Sequence, residues 1–328
     1  MKTLQTIGLL LLLSTFSSAY AGDCFKDEDV ADCRVKAEQE LAEAQLKLGS
    51  MYDYGEGVVQ DDKEAVKWYR LAAEQGNARA QLMLGTMYDY GEGVTQDYKE
   101  AVKWYRLAAE QGYARAQLKL GSMYGIGQGV RQDDKEAVKW YRLAAEQGDV
   151  QAQFNLGLMY YNGQGVVRDD KQAIKWYGLA AEQGYARAQY NLGLMYDVGQ
   201  GVAQDYKQAI KWYRLAAEQG DVQAQFNLGL MYYNGQGVVR DDKQAIKWYG
   251  LAAEQGDVQA QFNLGLMYAQ GQGVLQSHVM AHMYWNIAGV SGNGNEDSIK
   301  NRGIIEKDMT ASQIAEAQKL AREWMKKH

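Results

Sequence analysis

A tryptophan returns every 36 residues along this chain, at Trp68, Trp104, Trp140, Trp176, Trp212 and Trp248. The next step lands on Tyr284, with Trp285 beside it. The surrounding residues repeat in step, so one 36-residue phrase is written seven times between Ala42 and Asn293. A fixed period of this size identifies a stack of like units, each burying its apolar face only against its neighbours. The usual inference from length is overridden. A chain of 328 residues would otherwise suggest about two globular domains, whereas a one-dimensional stack grows without splitting.

Within the unit Ala42 to Asn77, AEAQLKLGSMYDY and DKEAVKWYRLAAEQG flank GEGVVQD. Gly55 and Gly57 stop the first segment, since glycine is the usual residue just past a helix. Asp61 or Asp62 can cap the second segment, which Gly76 ends. Asn77, Asp149, Asp221 and Asp257 stand where each following first helix needs a side-chain acceptor. Each unit is a helix–turn–helix. The chain contains no proline, so no turn is fixed by a pyrrolidine ring.

Helical spacing assigns the core. Ala44, Leu48 and Tyr52 form one stripe of the first helix, and the small Ala44 and Gly49 permit close approach. Ala65, Tyr69 and Ala72 form the stripe of the second helix, flanked by Trp68 and Leu71. Tryptophan and tyrosine at this spacing are packing residues. Lys63, Glu64, Lys67, Arg70 and Glu74 make a solvated face, with Arg70 and Glu74 as i,i+4 neighbours.

A further stripe of the first helix, Glu43, Lys47, Ser50 and Tyr54, is not claimed by core spacing. Its Lys47 position reads Lys47, Met83, Lys119, Asn155, Asn191, Asn227 and Asn263 along the repeats. Its Ser50 position reads Ser50, Thr86, Ser122, Leu158, Leu194, Leu230 and Leu266. The stack thus has a polar N-terminal half and a half with an asparagine row beside a leucine row. One reading is drift among solvated positions. The other is a groove in which amides bond an extended peptide and leucines supply apolar contact.

The ends differ from the middle. Residues 1–21 read as a secretory signal: Lys2, an apolar run from Ile7 to Phe16, and the small-x-small sequence Ala19-Tyr20-Ala21. Residues 22–41 are an N-terminal cap, a remnant second helix whose aromatic positions hold Asp32 and Cys33, as expected of a solvent-facing element. Cys24 and Cys33 are the only cysteines, and in an oxidising compartment they would pair across a short loop. Residues 42–293 are the repeats and 294–328 a C-terminal helical cap. In that cap Asp297 to Lys307 can form a short helix, and Thr310 with Gln313 opens another as a capping box.

A net charge of −6 argues against nucleic acid as a partner. His278 and His282 have i,i+4 spacing, but two ligands do not make a zinc site and no HExxH glutamate accompanies them. No nucleophile elbow or phosphate loop is present. We therefore expect no enzyme, cofactor or metal. After signal cleavage we expect a monomer with no membrane span. Gly148–Gly184 is identical to Gly220–Gly256, the mark of duplication, and both copies carry glycine, Gly178 and Gly250, where other repeats carry arginine.

The unit A-x-A-Q-x-x-L-G-x-x-Y-x-x-G-x-G-V-x-x-D-x-x-x-A-x-x-W-Y-x-x-A-A-x-Q-G resembles the Sel-one-like repeat, a relative of the tetratricopeptide repeat. GIIEKDMTASQIAEAQKLAREW resembles the C-terminal cap of bacterial secreted members. The resemblance implies an all-α fold. This would be a right-handed α/α superhelical solenoid of seven 36-residue repeats with capping helices at both ends, first helices lining the concave side. It also implies an adaptor that binds a protein or peptide in the periplasm or outside the cell. Two departures bear on function. The proline common after G-x-G-V is absent, the position holding Val59, Thr95, Arg131, Val167, Ala203, Val239 and Leu275. The cysteine-rich branch, for which β-lactam binding or hydrolysis has been claimed, staples each repeat with a cysteine pair, and these repeats have none. β-Lactam binding and contact of the charged face with cell wall stand as the alternative roles. The peptide-carboxylate clamp of some tetratricopeptide proteins does not transfer, because the position after the repeat's glycine is Ser, Thr or Leu and not Asn.

Overall fold

The computed structural model describes residues 30–290 and 295–328; the signal segment and Cys24 lie outside the described residues. Those residues are helical, with no strand among them. The chain divides after Arg168 into two compact units. The first holds α1 (Val30–Glu38), α2 (Ala42–Tyr54), α3 (Asp62–Glu74), α4 (Ala78–Tyr90), α5 (Tyr98–Glu110), α6 (Ala114–Ile126), α7 (Asp134–Glu146) and α8 (Val150–Asn162). The second holds α9 (Asp170–Glu182), α10 (Ala186–Val198), α11 (Tyr206–Glu218), α12 (Val222–Asn234), α13 (Asp242–Glu254), α14 (Val258–Gln270), α15 (His278–Val290), α16 (Glu296–Ile305) and α17 (Ala311–Lys327). Even-numbered helices from α2 to α14 are the first helices of the seven repeats and odd-numbered ones from α3 to α15 the second. Within each unit each helix packs on the next in the chain, except at the C-terminus, where α16 and α17 both pack on α15.

Local chemistry fixes the ends of each helix. Asp61 accepts hydrogen bonds from the backbone N–H of Lys63 and Glu64, and Asp97, Asp133, Asp169, Asp205 and Asp241 repeat the cap. Asn77, Asp149, Asp221 and Asp257 cap the following first helices as expected, whereas Leu41, Tyr113 and Tyr185 bring no side-chain acceptor. At the other end Gly91 takes φ 77°, the left-handed geometry that lets its N–H return to the Met87 carbonyl. Gly93 is needed for a different reason: a β-carbon there would collide with the backbone of Asp62 in the preceding repeat.

The core is assembled between repeats. Trp104 of the second repeat closes a cluster made by Leu46, Val66, Tyr69, Leu84 and Met87, and Trp140 does the same one repeat on. The tryptophans are packing residues. Each second-helix tyrosine lies across the glycine of its own first helix, Tyr69 on Gly49, Tyr105 on Gly85 and Tyr141 on Gly121. In the last repeat Trp285 takes this place over Gly265, and its indole N–H donates to the Phe262 carbonyl at 3.2 Å.

Two polar ladders tie the stack together. Gln81 is buried and donates to the Ala73 carbonyl at 3.1 Å, while its own oxygen accepts from Gln111 at 2.8 Å. Gln45, Gln117 and Gln225 are held in the same way on both sides. These amides bring a further donor to carbonyls at helix C-termini, where the turn's own N–H groups also bond, as Gly76 does to Ala73 at 3.0 Å. The second ladder runs from each arginine of the second helix to a tyrosine hydroxyl 18 residues ahead. Arg70 reaches Tyr88 at 2.6 Å, Arg106 reaches Tyr124 at 2.5 Å, Arg142 reaches Tyr160 at 2.7 Å and Arg214 reaches Tyr232 at 2.7 Å. Arg34 of α1 makes the same bond to Tyr52.

Three sequence expectations need correction. Arg70 does not pair with Glu74, because the Tyr88 hydroxyl of the next repeat captures it; Lys67 pairs with Glu64 instead, at 3.1 Å. Leu71 lies outside the core at 38 % exposure, and Val66 and Ala73 are buried in its stead. Cys33 is wholly buried among Ala37, Leu48, Met51 and Trp68, so α1 covers the first repeat with an inward-facing cysteine. The C-terminal cap forms as α16, a 3-10 turn from Glu306 to Asp308, and α17, which opens with the Thr310–Gln313 capping box.

Candidate functional site

The stripe Glu43, Lys47, Ser50 and Tyr54 lines a cavity of about 530 Å³ in the first unit. The neighbouring first helix contributes Arg79, Leu82, Met83, Thr86 and Tyr90, and the one after it Arg115 and Lys119. Four cations therefore face one carboxylate, on a chain whose net charge is −6. Glu43 is already occupied, accepting from Asn77 at 2.7 Å. Lys47 is 3.6 Å from Glu56, and Lys119 lies 5.4 Å above the Tyr90 ring. Arg79 and Arg115 are exposed and have no ion pair among the described residues. Both stand in the first turn of a helix, where the macrodipole opposes a cation.

Tyr69 and Thr86, which line this cavity, belong to a layer of hydrogen bonds made by second-helix tyrosines. Tyr105 is hydrogen-bonded to Thr86 at 3.3 Å and to Asp89 at 3.2 Å, and Tyr69 donates to Asp53 at 3.0 Å. Burial is the main reason these hydroxyls titrate well above the ordinary tyrosine range, so they stay protonated donors and offer no base. The Asp53 carboxyl is pushed up by burial, an effect the Tyr69 hydrogen bond partly offsets.

The positions expected to form a groove are placed as follows. Asn155 and Leu158 lie on α8 of the first unit. Asn191 with Leu194, Asn227 with Leu230 and Asn263 with Leu266 lie on α10, α12 and α14 of the second. All are half-buried. The leucines are committed in part to the core: Leu194, Leu230 and Leu266 each pack on the cluster of their own repeat. The amides turn partly inward too. Tyr141, like Tyr105, is bonded to its own first helix, its hydroxyl donating to Ser122 at 3.3 Å, and Asn155 and Asn227 lie near enough to the Tyr141 and Tyr213 hydroxyls to influence their titration. Asn263 faces the Tyr249 hydroxyl across a small cavity of about 40 Å³ that Leu266 also lines. Changing Ser to Leu at one position and Lys to Asn at the other thus alters the surroundings of the buried tyrosine hydroxyls, as well as a surface.

The basic cavity was within reach of the sequence. The position of Glu43 reads Glu43, Arg79, Arg115, Gln151, Arg187, Gln223 and Gln259, a change of charge as marked as the asparagine row. His282 is 1 % exposed and bonded to Glu306 at 2.7 Å. No group of three metal-ligating side chains occurs among the described residues.

Helical hairpins of one length, repeated with the same packing plan, define a helical-repeat protein whose specificity resides in its faces. The Sel1 repeat family matches residues 42–77, 78–113, 114–149, 150–185, 186–221, 222–257 and 258–290, and the chain belongs to that family. It is similar to a Sel1 repeat protein from Oxalobacter formigenes, with 38% identity over 84% of this chain and 79% of that one and a TM-score of 0.66. It is also similar to a protective antigen of uropathogenic Escherichia coli displaying an SLR fold, with 35% identity over 90% of this chain and 79% of that one and a TM-score of 0.47. No curated protein matches the chain. Proteins of Sel1 repeats are in general non-enzymatic interaction scaffolds. No helix among the described residues is long and apolar enough to cross a membrane.

Proposed function

We propose that this protein is an exported, non-enzymatic adaptor that binds an extended, acidic segment of another protein on the faces of its first helices. The cavity of about 530 Å³ carries this reading, with Arg79 and Arg115 unneutralised at its rim and Leu46, Leu82 and Met83 within it. Guanidinium groups suit carboxylates because they bond them in a bidentate fork. In the second unit the exposed parts of Asn191, Asn227 and Asn263 supply amides to a peptide backbone, and Leu194, Leu230 and Leu266 supply apolar contact. Export rests on the signal-like residues 1–21. With it goes a Cys24–Cys33 bridge, which would fasten the chain just ahead of α1 where Cys33 is buried.

The mature protein should be used to capture its partner from its own cell extract. Binding is then compared with R79E/R115E and with L194E/L230E. Each pair should weaken capture by about tenfold or more while helicity is retained. Unchanged capture by both variants would dispose of the first-helix faces as the site.

A further inference from the structure

Two steps of the arginine–tyrosine ladder are missing. The arginine position reads Arg34, Arg70, Arg106, Arg142, Gly178, Arg214, Gly250, and the tyrosine 18 residues ahead is present every time: Tyr52, Tyr88, Tyr124, Tyr160, Tyr196, Tyr232 and Tyr268. Five of these tyrosines receive a guanidinium from the chain itself. Tyr196 and Tyr268 receive none, and no other hydrogen bond reaches their hydroxyls among the described residues. The first step of an arginine side chain is unobstructed there, for a β-carbon built on Gly178 or Gly250 meets nothing within 4 Å.

We propose that these two gaps are binding sites for arginine side chains of a partner polypeptide. The intact steps show what fits. At Arg70 and Arg106 the guanidinium lies 5.8 and 5.9 Å from the ring centroid of Tyr88 and Tyr124 while donating to the hydroxyl. A planar fork makes both contacts at once, which an ammonium does less well. The Gly250 gap adds two features. Tyr268 is stacked on Tyr284 at 5.7 Å, offering a second aromatic surface. Glu254, four residues after the glycine, is near enough to the Tyr284 hydroxyl to act on it electrostatically. Glu182 holds the same position after Gly178.

These gaps are separate from the asparagine–leucine face. Tyr196 lies two residues beyond Leu194, about 200° around α10. The proposal therefore stands whether or not the first-helix faces bind an acidic segment. Both gaps belong to the second unit, 72 residues apart, so one polypeptide with two arginines gains by engaging both.

The test uses the full mature chain labelled with 3-fluorotyrosine, with resonances assigned from Tyr196→Phe, Tyr232→Phe and Tyr268→Phe. N-acetyl-arginine methylamide should shift the Tyr196 and Tyr268 signals and leave Tyr232, already occupied by Arg214, in place. The lysine analogue should bind roughly tenfold more weakly. Gly178→Arg and Gly250→Arg should each abolish the response of the facing tyrosine, and Arg214→Gly should create a third responsive site at Tyr232. Equal shifts at all three tyrosines, equal response to lysine, or an undiminished response in the glycine-to-arginine variants would overturn the proposal.

Discussion

The ring of Tyr105 lies so close to Gly85 that a β-carbon on the glycine would come 2.7 Å from the ring's Cδ1. The Ala101 carbonyl behind it would be 3.3 Å away, so the ring has to move instead. Gly85→Ala should cost about 1–3 kcal/mol, the usual penalty of overpacking, read as a lower urea midpoint at unchanged slope. Gly178 is the internal control: it is helical with open space around it, and Gly178→Ala should stabilise by roughly 1 kcal/mol. Opposite signs for two glycines of one repeat family would be hard to obtain from propensity alone.

Removing one rung of the glutamine ladder should be felt on both sides. Gln81→Leu keeps most of the volume but removes the buried amide that links the Ala73 carbonyl to the Gln111 side chain. The expected loss is about 1–3 kcal/mol by chemical denaturation. Gln111→Leu removes only the outer partner, which is exposed, and should cost less.

Stability should fall steeply in alkali. Burial raises the titration of Tyr69, Tyr105, Tyr141, Tyr213 and Tyr249, and brings Tyr284 to about 12. An unfolded tyrosine ionises near about 10, so the folded state keeps protons that the unfolded state releases. The stabilisation is full below that value and is lost as pH rises through the folded pKa values. Phenolate absorbance should show these tyrosines ionising together with loss of helicity; smooth titration of the folded chain would refute their burial.

Trp104 bridges two repeats, and Trp104→Ala should cost about 3–5 kcal/mol. Because the lost contacts lie between units of a stack, far-ultraviolet circular dichroism should show a broadened transition as well as a lowered midpoint. A sharp, merely shifted transition would place the tryptophan within a single repeat.

The hairpins, their aspartate caps and the packing role of tryptophan were legible because each depends on residues a few positions apart. Asp61 capping its own helix is local chemistry. What could not be read depends on neighbours 18 or 30 residues away. Arg70 looked like a partner for Glu74, four residues on, until folding brought the Tyr88 hydroxyl within 2.6 Å. Gln81 looks like a surface residue, and only the adjacent helix end makes it buried and obligatory. The first-helix stripe was visible from spacing alone. Its chemical emphasis was not, because Leu194 serves the core as well as the surface.

Every cross-link in the two ladders spans less than one period: 8 and 30 residues for the glutamines, 18 for the arginines. A whole unit can therefore be inserted or removed without leaving any surviving bond unmatched in register. The identical stretches Gly148–Gly184 and Gly220–Gly256 are the trace of such an event. Repeat number in this protein is thus open to change by recombination in a single generation, and the reach of its faces can be selected much as a side chain is.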